Sequence, residues 1–121
     1  MVVKLKKTYT RKQMCEMLMC SPSLLEVYDS YKIFLAPINT AQGRKRYYSE
    51  IDLYKGKLAR ILRYTGIPYR TILDRGLTLK NKKLIDEAFD KIIREGIAWR
   101  GLCEKNFLGA KLKEDSHGLA I

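Results

Sequence analysis

Two helix starts lie close together in residues 10–22, which read TRKQMCEMLMCSP. Thr10 is a residue type that caps helix N-termini, so the pattern predicts a first helix over residues 11–18. Ser21 is a second cap of this kind, and Pro22 suits a first helical position because no N–H is needed there. Two short helices joined by a two-residue turn have the spacing of a helix-turn-helix.

A basic and aromatic strand is predicted after this pair of helices. Residues 33–35 (Ile-Phe-Leu) form an extended apolar run, and residues 36–43 contain the turn formers proline, asparagine and glycine. Residues 44–48 (Arg-Lys-Arg-Tyr-Tyr) return as a strand, so the sequence predicts a β-hairpin with a cationic limb. Because side chains alternate along a strand, one of Tyr47 and Tyr48 is expected to pack inward and the other to face out.

A third helix is predicted to begin at Ser49 and to end near Tyr64. Ser49 and Asp52 are spaced as a capping-box-like pair, in which each side chain accepts from the other residue's backbone N–H. Gly66 suits the left-handed residue that ends many helices. The buried face of this helix is predicted to comprise Ile51, Leu58, Ile61 and Leu62.

Three further helical segments are predicted, over residues 67–74, 79–95 and 97–107. Gly76 is expected to end the first of them, and residues 109–121 are expected to fray. Residues 79–95 form the most amphipathic of them, with apolar side chains at helical spacing. The stripe comprises Ile85, Ala88, Phe89, Ile92 and Ile93. It is either internal core or the seam of a dimer. Because so short a chain gives this helix little else to cover, we favour dimerisation, through Ile85, Phe89, Ile92 and Ile93.

The charge of the chain is strongly positive and unevenly distributed. Its 121 residues include 24 Lys and Arg against 13 Asp and Glu, which gives a net charge of +11. Residues 13–31 carry acids and no bases, whereas residues 1–12 and 32–75 are rich in bases. A field of this sign favours nucleic acid or an anionic surface as the partner. The hydrophobic content of 46% allows a modest core, enough for one small domain.

The sequence disfavours several other classes of protein. His117 is its one histidine, which excludes a histidine-based triad or a multi-histidine metal site within one chain, so we expect no enzyme, cofactor or metal. No apolar run approaches the roughly 18 residues of a membrane span, and no signal segment is visible, so we expect a cytoplasmic protein. The odd number of cysteines argues against a secreted disulfide framework. Cys15 and Cys20 are interpreted as small buried apolar residues, with thiol or metal sensing as the alternative.

The order of these features resembles the winged-helix DNA-binding domain of MerR-type regulators, a version of which phage excisionases share. The similarity covers about residues 7–76, and its most distinctive stretch is residues 46–53, Arg-Tyr-Tyr-Ser-Glu-Ile-Asp-Leu. The other matching residues are Tyr9-Thr10, Met19-Cys20-Ser21-Pro22-Ser23, Tyr28-Asp29, Pro37, Gly66-Ile67-Pro68 and Ile72. The resemblance implies a mainly α fold with a small β-hairpin, a winged helix-turn-helix followed by C-terminal helices. It divides the chain into a DNA-binding domain, 1–76, and a C-terminal helical segment, 77–121, as a candidate dimerisation element.

The same resemblance implies how DNA would be contacted. Residues 22–32 would form the recognition helix in the major groove, and the basic limb would hold the flanking backbone as a wing. Such proteins are similar in acting as dimers, paired through a long C-terminal helix. The residues expected to contact DNA are Arg11, Lys12, Ser21, Ser23, Glu26, Lys32, Arg44, Lys45, Arg46 and Tyr47.

Two departures from the family pattern bear on this expectation. Met19 stands in the turn where glycine is usual, which costs on the order of 1 kcal/mol if the backbone there is left-handed. Glu26 and Val27 stand in mid-helix where the family carries bases. Base readout is then expected to depend on Ser21, Ser23 and Glu26, together with DNA shape.

The sequence therefore favours a small protein that binds double-stranded DNA as a homodimer, without a membrane or small-molecule partner. It would be a transcriptional regulator or an accessory factor of phage or plasmid type. The alternative is a protein-interaction adaptor, in which the acidic second helix docks a partner and the basic charge serves solubility. DNA binding is favoured if Glu26 and Asp29 face away from residues 44–46, and the adaptor is favoured if they neutralise those bases. RNA binding is a third option, disfavoured because neither a Gly-x-x-Gly loop nor an aromatic sheet platform is visible.

Overall fold

The structure is a computed structural model that describes residues 8–34 and 47–109. Its elements, in chain order, are β1 (Thr8–Thr10), α1 (Arg11–Leu18), α2 (Pro22–Ser30), β2 (Tyr47–Ser49), α3 (Glu50–Tyr64), α4 (Tyr69–Arg75), α5 (Lys82–Glu95) and α6 (Arg100–Phe107). The predicted fold class, mainly helical with one small antiparallel strand pair, is confirmed. The chain divides into two compact units, Met1–Lys57 and Leu58–Ile121, and α3 contributes to both. The domain boundary after residue 76 stays a prediction.

The first two helices begin where the capping residues predict. The Gln13 N–H donates to Thr10 Oγ1 over 3.2 Å, and the Thr10 N–H donates to Gln13 Oε1 over 2.9 Å. These reciprocal bonds form a capping box that fixes the start of α1. At α2, the Leu24 N–H donates to Ser21 Oγ over 3.2 Å, and Pro22 takes the first helical position.

The strand pairing differs from the predicted hairpin. β2 pairs antiparallel with β1, with Tyr48 opposite Tyr9, whereas Ile33 and Phe34 lie outside both strands. The prediction that residues 33–35 pair with the basic strand is therefore wrong for Ile33 and Phe34. The physical reason is that these residues belong to the turn that ends α2: the Ile33 N–H donates to the Tyr28 carbonyl over 3.0 Å, and both side chains are buried in the core of the first unit. Residues 35–46, with the predicted basic limb at 44–46, lie outside the described residues.

An aromatic cluster forms the centre of the first unit. The Phe34 ring meets the rings of Tyr28 and Tyr48 edge to face, with centroids 5.9 Å and 5.2 Å away. Such pairs contribute roughly 0.5–1.5 kcal/mol beyond the area they bury. Tyr48 is fully buried and its neighbour Tyr47 is half-buried, which confirms the predicted alternation along the strand.

The start of α3 confirms its predicted cap and corrects one predicted core residue. The Asp52 N–H donates to Ser49 Oγ, and the Ser49 N–H donates to Asp52 Oδ2, both over 3.1 Å. Leu58, Ile61 and Leu62 are buried as predicted, but Ile51 is 38% exposed. The reason is that the buried face at this end of α3 includes Asp52. Ile51 lies about 100° around the helix axis from Asp52, so its side chain is turned toward solvent.

The second unit joins its helix ends by hydrogen bonds. The Tyr64 hydroxyl donates to the Gly96 carbonyl over 2.8 Å, which connects the ends of α3 and α5. The Gly109 N–H donates to the Gly76 carbonyl over 2.9 Å, and Arg75 Nε donates to the Gly109 carbonyl over 2.7 Å. The segment after α6 is thereby held against the residues that follow α4.

The apolar stripe of α5 is largely core. Ile85, Phe89 and Ile92 are buried within the single chain, and Ile93 is the exposed member of the predicted dimer seam. This location corresponds to the core interpretation of the stripe, because a seam between two chains would need these side chains to be accessible. Dimerisation itself stays a prediction. No helix in the described part of the chain is both long and apolar enough to cross a membrane.

Candidate nucleic-acid interface

The turn between α1 and α2 has a left-handed residue at its centre. Met19 has φ 53° and ψ 51°, the left-handed backbone on which the cost given above depends, and it is 58% exposed. Its N–H donates to the Glu16 carbonyl over 3.3 Å, and the Cys20 N–H donates to the Cys15 carbonyl over 3.0 Å. This bond pair is a Schellman motif, which ends one helix sharply so that the next can begin at once.

The helix α2 has one buried and one exposed side. Leu25 and Tyr28 are buried, whereas Ser23, Glu26 and Ser30 are exposed. The exposed three are spaced three and four residues apart, so they share one face of the helix. This face is polar and carries no base. Sequence reasoning missed Ser30, which the same spacing could have identified.

The C-terminus of α2 is fixed by a second Schellman motif. Lys32 has φ 60°, and its N–H donates to the Asp29 carbonyl over 2.9 Å. The Ile33 N–H donates to the Tyr28 carbonyl over 3.0 Å. The Lys32 side chain is exposed at this end of the helix. The turn therefore directs Ile33 into the core while it leaves a base at the surface.

Each acid of α2 has a partner within the first unit. Arg11 Nη1 lies 3.5 Å from Glu26 Oε2, and these side chains are 47% and 66% exposed. The Tyr48 hydroxyl donates to Asp29 Oδ2 over 3.1 Å, which joins β2 to α2. Because the Arg11–Glu26 pair is open to water, it contributes only about a few tenths of a kcal/mol to stability. Its main effect is to place a base against the acid on the exposed face of α2.

The family model described as the MerR HTH family regulatory protein matches residues 9–86. The chain belongs to this family. The match covers β1, both helices of the helix-turn-helix, β2, α3, α4 and the start of α5. It supports a MerR-type helix-turn-helix DNA-binding domain, as the sequence resemblance implies. No curated protein and no solved structure matches the chain significantly.

The predicted contact residues of this MerR-family chain are distributed around α1 and α2. Those that are exposed are Arg11, Lys12, Ser21, Ser23, Glu26 and Lys32. Tyr47 is half-buried on β2. Arg44, Lys45 and Arg46 lie outside the described residues. Within residues 8–34 and 47–109, no three His, Cys, Asp or Glu side chains are grouped so as to hold a metal ion.

Proposed function

We propose that this MerR-family chain is a double-stranded DNA-binding protein, acting as a transcriptional regulator or as an accessory DNA-binding factor. In this proposal α2 lies in the major groove, and the basic residues 44–46 contact the flanking backbone. The observation that carries the proposal is the family match over residues 9–86, which includes α1, its turn and the exposed polar face of α2.

The N-terminal end of α2 supplies the proposed base and phosphate contacts. The Ser21 hydroxyl accepts the Leu24 N–H as a cap and keeps its own hydrogen, which can be donated to a phosphate oxygen. Ser23, the second residue of α2, is exposed. The Glu26 carboxylate can accept from the amino group of cytosine, and Arg11 at 3.5 Å reduces its repulsion of phosphate. We therefore assign base readout to Ser23 and Glu26.

Most of the proposed affinity comes from bases around this helix. Arg11 and Lys12 are exposed at the start of α1, and Lys32 is exposed at the end of α2. If about five bases, including residues 44–46, meet phosphates, log K falls with log salt at a slope of about −4 to −5. Binding of this kind depends strongly on salt and weakly on sequence.

Fluorescence anisotropy with a random duplex at several salt concentrations tests the proposal. We expect submicromolar binding at low salt, and we expect replacement of Arg44, Lys45 and Arg46 by alanine to reduce the slope by about 2–3. Replacement of Lys80, Lys82 and Lys83 by alanine removes the same charge from the second unit and is the matched control. The proposal fails if wild-type chain does not bind, or if the two triple variants behave alike.

The adaptor alternative receives less support from the structure. An acidic docking surface needs carboxylates that are available to a partner's bases. Glu26 lies against Arg11, and Asp29 accepts from the Tyr48 hydroxyl. Both acids therefore already have a partner in their own unit, and Glu26, which is 66% exposed, stays open enough for the base contact proposed above. Residues 44–46, on which the stated choice between the two hypotheses depends, lie outside the described residues. We retain DNA binding as the proposed function.

We also propose that the chain acts as a homodimer, through a set of apolar side chains that keeps only Ile93 of the predicted seam. Four large apolar residues within ten positions of the second unit are exposed: Ile93, Ile97, Trp99 and Leu102. Trp99 is 72% exposed, and large apolar side chains left in water are the kind that interaction sites bury. A second copy is the occupant we propose, because helix-turn-helix proteins read paired half-sites as dimers.

Sedimentation equilibrium of the wild-type chain and of the Trp99→Ser variant tests the dimer. We expect the wild type to sediment as a dimer at micromolar concentration, and we expect Trp99→Ser to weaken association about tenfold or more. Met19→Asn is the control, because it removes an exposed apolar side chain from the first unit and asparagine tolerates the left-handed backbone. A monomeric wild type, or equal effects of both variants, would exclude this surface.

A further inference from the structure

Two cysteines occupy the paired positions of the Schellman motif between α1 and α2. In this motif the residue after the left-handed position donates its N–H to the carbonyl of the residue five positions earlier. The side chains of these two residues are frequently in contact. Here those residues are Cys20 and Cys15, joined by the 3.0 Å bond from the Cys20 N–H to the Cys15 carbonyl. The sequence interpretation makes both of them buried apolar residues, but each is only partly buried. Both thiols are therefore within reach of a small reagent.

The same hydrogen bond limits the separation of the two α-carbons. A carbonyl oxygen lies about 2.4 Å from its own α-carbon, and a backbone nitrogen lies about 1.5 Å from its own. With the 3.0 Å hydrogen bond between them, the α-carbons of Cys15 and Cys20 are at most about 6.9 Å apart. Any bend in this path shortens it, and disulfides span roughly 4.4–6.8 Å between α-carbons. The backbone thus holds the two cysteines at bridging distance.

We propose that Cys15 and Cys20 are a reversible dithiol that closes to a disulfide across the helix-turn-helix turn. The oxidant is a small-molecule disulfide such as glutathione disulfide. The thiolate of one cysteine attacks a glutathione sulfur, which forms a mixed disulfide and releases one glutathione thiolate. The second cysteine thiolate then attacks the cysteine sulfur of that mixed disulfide, which forms the Sγ–Sγ bond and releases the second glutathione thiolate. The protein loses two electrons, and the two glutathione molecules receive the electrons and both cysteine protons.

The third cysteine provides an internal control. Cys103 is buried in α6, and burial raises the pKa of its thiol, with the nearby Glu104 carboxylate adding to the rise and a backbone hydrogen bond from Trp99 opposing it. A protonated, buried thiol is a poor nucleophile. Cys103 should therefore stay reduced in the folded chain under conditions that oxidise the other two.

Peptide mapping of the oxidised full-length chain tests the proposal. The folded chain is incubated with glutathione disulfide, quenched with acid, alkylated with N-ethylmaleimide after unfolding, and cleaved by a protease that cuts after glutamate. Cleavage after Glu16 separates Cys15 from Cys20 in the sequence. We expect the two fragments to stay joined until dithiothreitol is added, and Cys103 to be the one alkylated cysteine.

Single variants distinguish a dithiol from two independent thiols. In Cys15→Ser and in Cys20→Ser the remaining cysteine has no second thiol with which to form a disulfide, so we expect each variant to accumulate a stable adduct of one glutathione. Wild-type chain should show no such adduct at the end of the reaction and no cross-linked chains on a non-reducing gel. The proposal is overturned if wild type keeps both thiols free, carries glutathione on both, or links Cys15 or Cys20 to a second chain. None of these measurements involves DNA, so the result does not depend on the proposed function.

Discussion

In each unit two helices are followed by a residue with positive φ, but the residue types differ between the units. In the first unit α1 is followed by Met19 with φ 53°, and α2 is followed by Lys32 with φ 60°. In the second unit α3 is followed by Gly66 with φ 91°, and α5 is followed by Gly96 with φ 66°. A side chain on a left-handed backbone costs roughly 1–2 kcal/mol, whereas glycine has no such cost. The helix-turn-helix therefore carries strain that the second unit avoids.

Of the two strained residues, Met19 and Lys32, the second has a proposed functional reason for its side chain. Lys32 is exposed at the end of the helix that we propose for the major groove, so its ammonium group can reach a phosphate. Glycine at the same position would relieve the backbone and lose that contact. Local rules of this kind are most often broken at functional sites. For Met19, nothing in the structure explains the choice of residue.

The largest effect is expected from Gly109→Ala, which tests how far the second unit depends on its glycines. A β-carbon at this position would overlap the carbonyl oxygen of Arg75. The chain must then move, which weakens the Gly109 N–H bond to Gly76 and the Arg75 Nε bond to Gly109. We expect the free energy of unfolding, measured by urea denaturation, to fall by about 2–3 kcal/mol.

Gly101→Ala is the matched control for that substitution. Gly101 lies inside α6, and nothing lies within 4 Å of where its β-carbon would be. Alanine should therefore raise the free energy of unfolding by about 0.5–1 kcal/mol through helix propensity alone. If Gly109→Ala also stabilises the chain, the segment after α6 is not held against the residues that follow α4.

A pair of substitutions at helix ends tests the comparison directly. Gly66→Ala places a side chain on a left-handed backbone and should lower the free energy of unfolding by about 1 kcal/mol. Met19→Gly removes a side chain from the same kind of backbone and should raise the free energy of unfolding by about 0.5–1 kcal/mol. The gain is not larger because glycine has greater freedom in the unfolded chain. Urea denaturation of both variants should give changes of opposite sign. Changes of the same sign would mean that strain at Met19 is already compensated by its surroundings.

The starts of α1, α2 and α3 could be predicted because their signals are local, whereas α4, α5 and α6 begin two or three residues later than predicted. Thr10, Ser21 and Ser49 each cap a helix through bonds to a residue three positions away, so residue type and spacing identify them. The pairing of β1 with β2 could not be found in this way. Each strand has three residues and no measurable period, and the two lie far apart in the chain. Their partnership depends on the buried cluster around Tyr48, which forms only in the folded unit.

The candidate site shows the same division. The exposed face of α2 follows from helical spacing, and Ser23 and Glu26 lie on it, while their contact with DNA stays a prediction. The Arg11–Glu26 pair joins two helices, so no spacing within either helix could indicate it. The left-handed Lys32 was also missed, because sequence signals for this conformation are glycine and asparagine.

Lys32→Gly separates stability from function in a single variant. Removing the side chain from a left-handed backbone should raise the free energy of unfolding by about 0.5 kcal/mol. If Lys32 meets a phosphate, the same substitution should lower affinity for a random duplex at low salt and reduce the salt slope by about 1. Lys80→Gly is the control, because it removes one base at a position outside the helices. Lys12→Gly would not serve, because glycine at that position weakens α1. A stabilised variant with unchanged DNA affinity would leave the strain at residue 32 without a functional reason.

The smallest effect is expected at the exposed ion pair beside the recognition face. Glu26→Gln removes the acid that lies 3.5 Å from Arg11, and because both side chains are largely in water the free energy of unfolding should change by less than about 0.5 kcal/mol. Affinity for a random duplex should rise about threefold, since the substitution removes one carboxylate from the proposed DNA face and leaves Arg11 available to phosphate.

Glu16→Gln, which changes an exposed acid on α1, makes the same change in net charge and should alter affinity less. Equal gains from both variants would attribute the effect to net charge alone, whereas a gain confined to Glu26 that disappears in Arg11→Ala would locate it at this pair. Glu26 would then limit non-specific binding, so that a helix without bases of its own contributes selectivity by repelling the backbone of DNA that it does not fit.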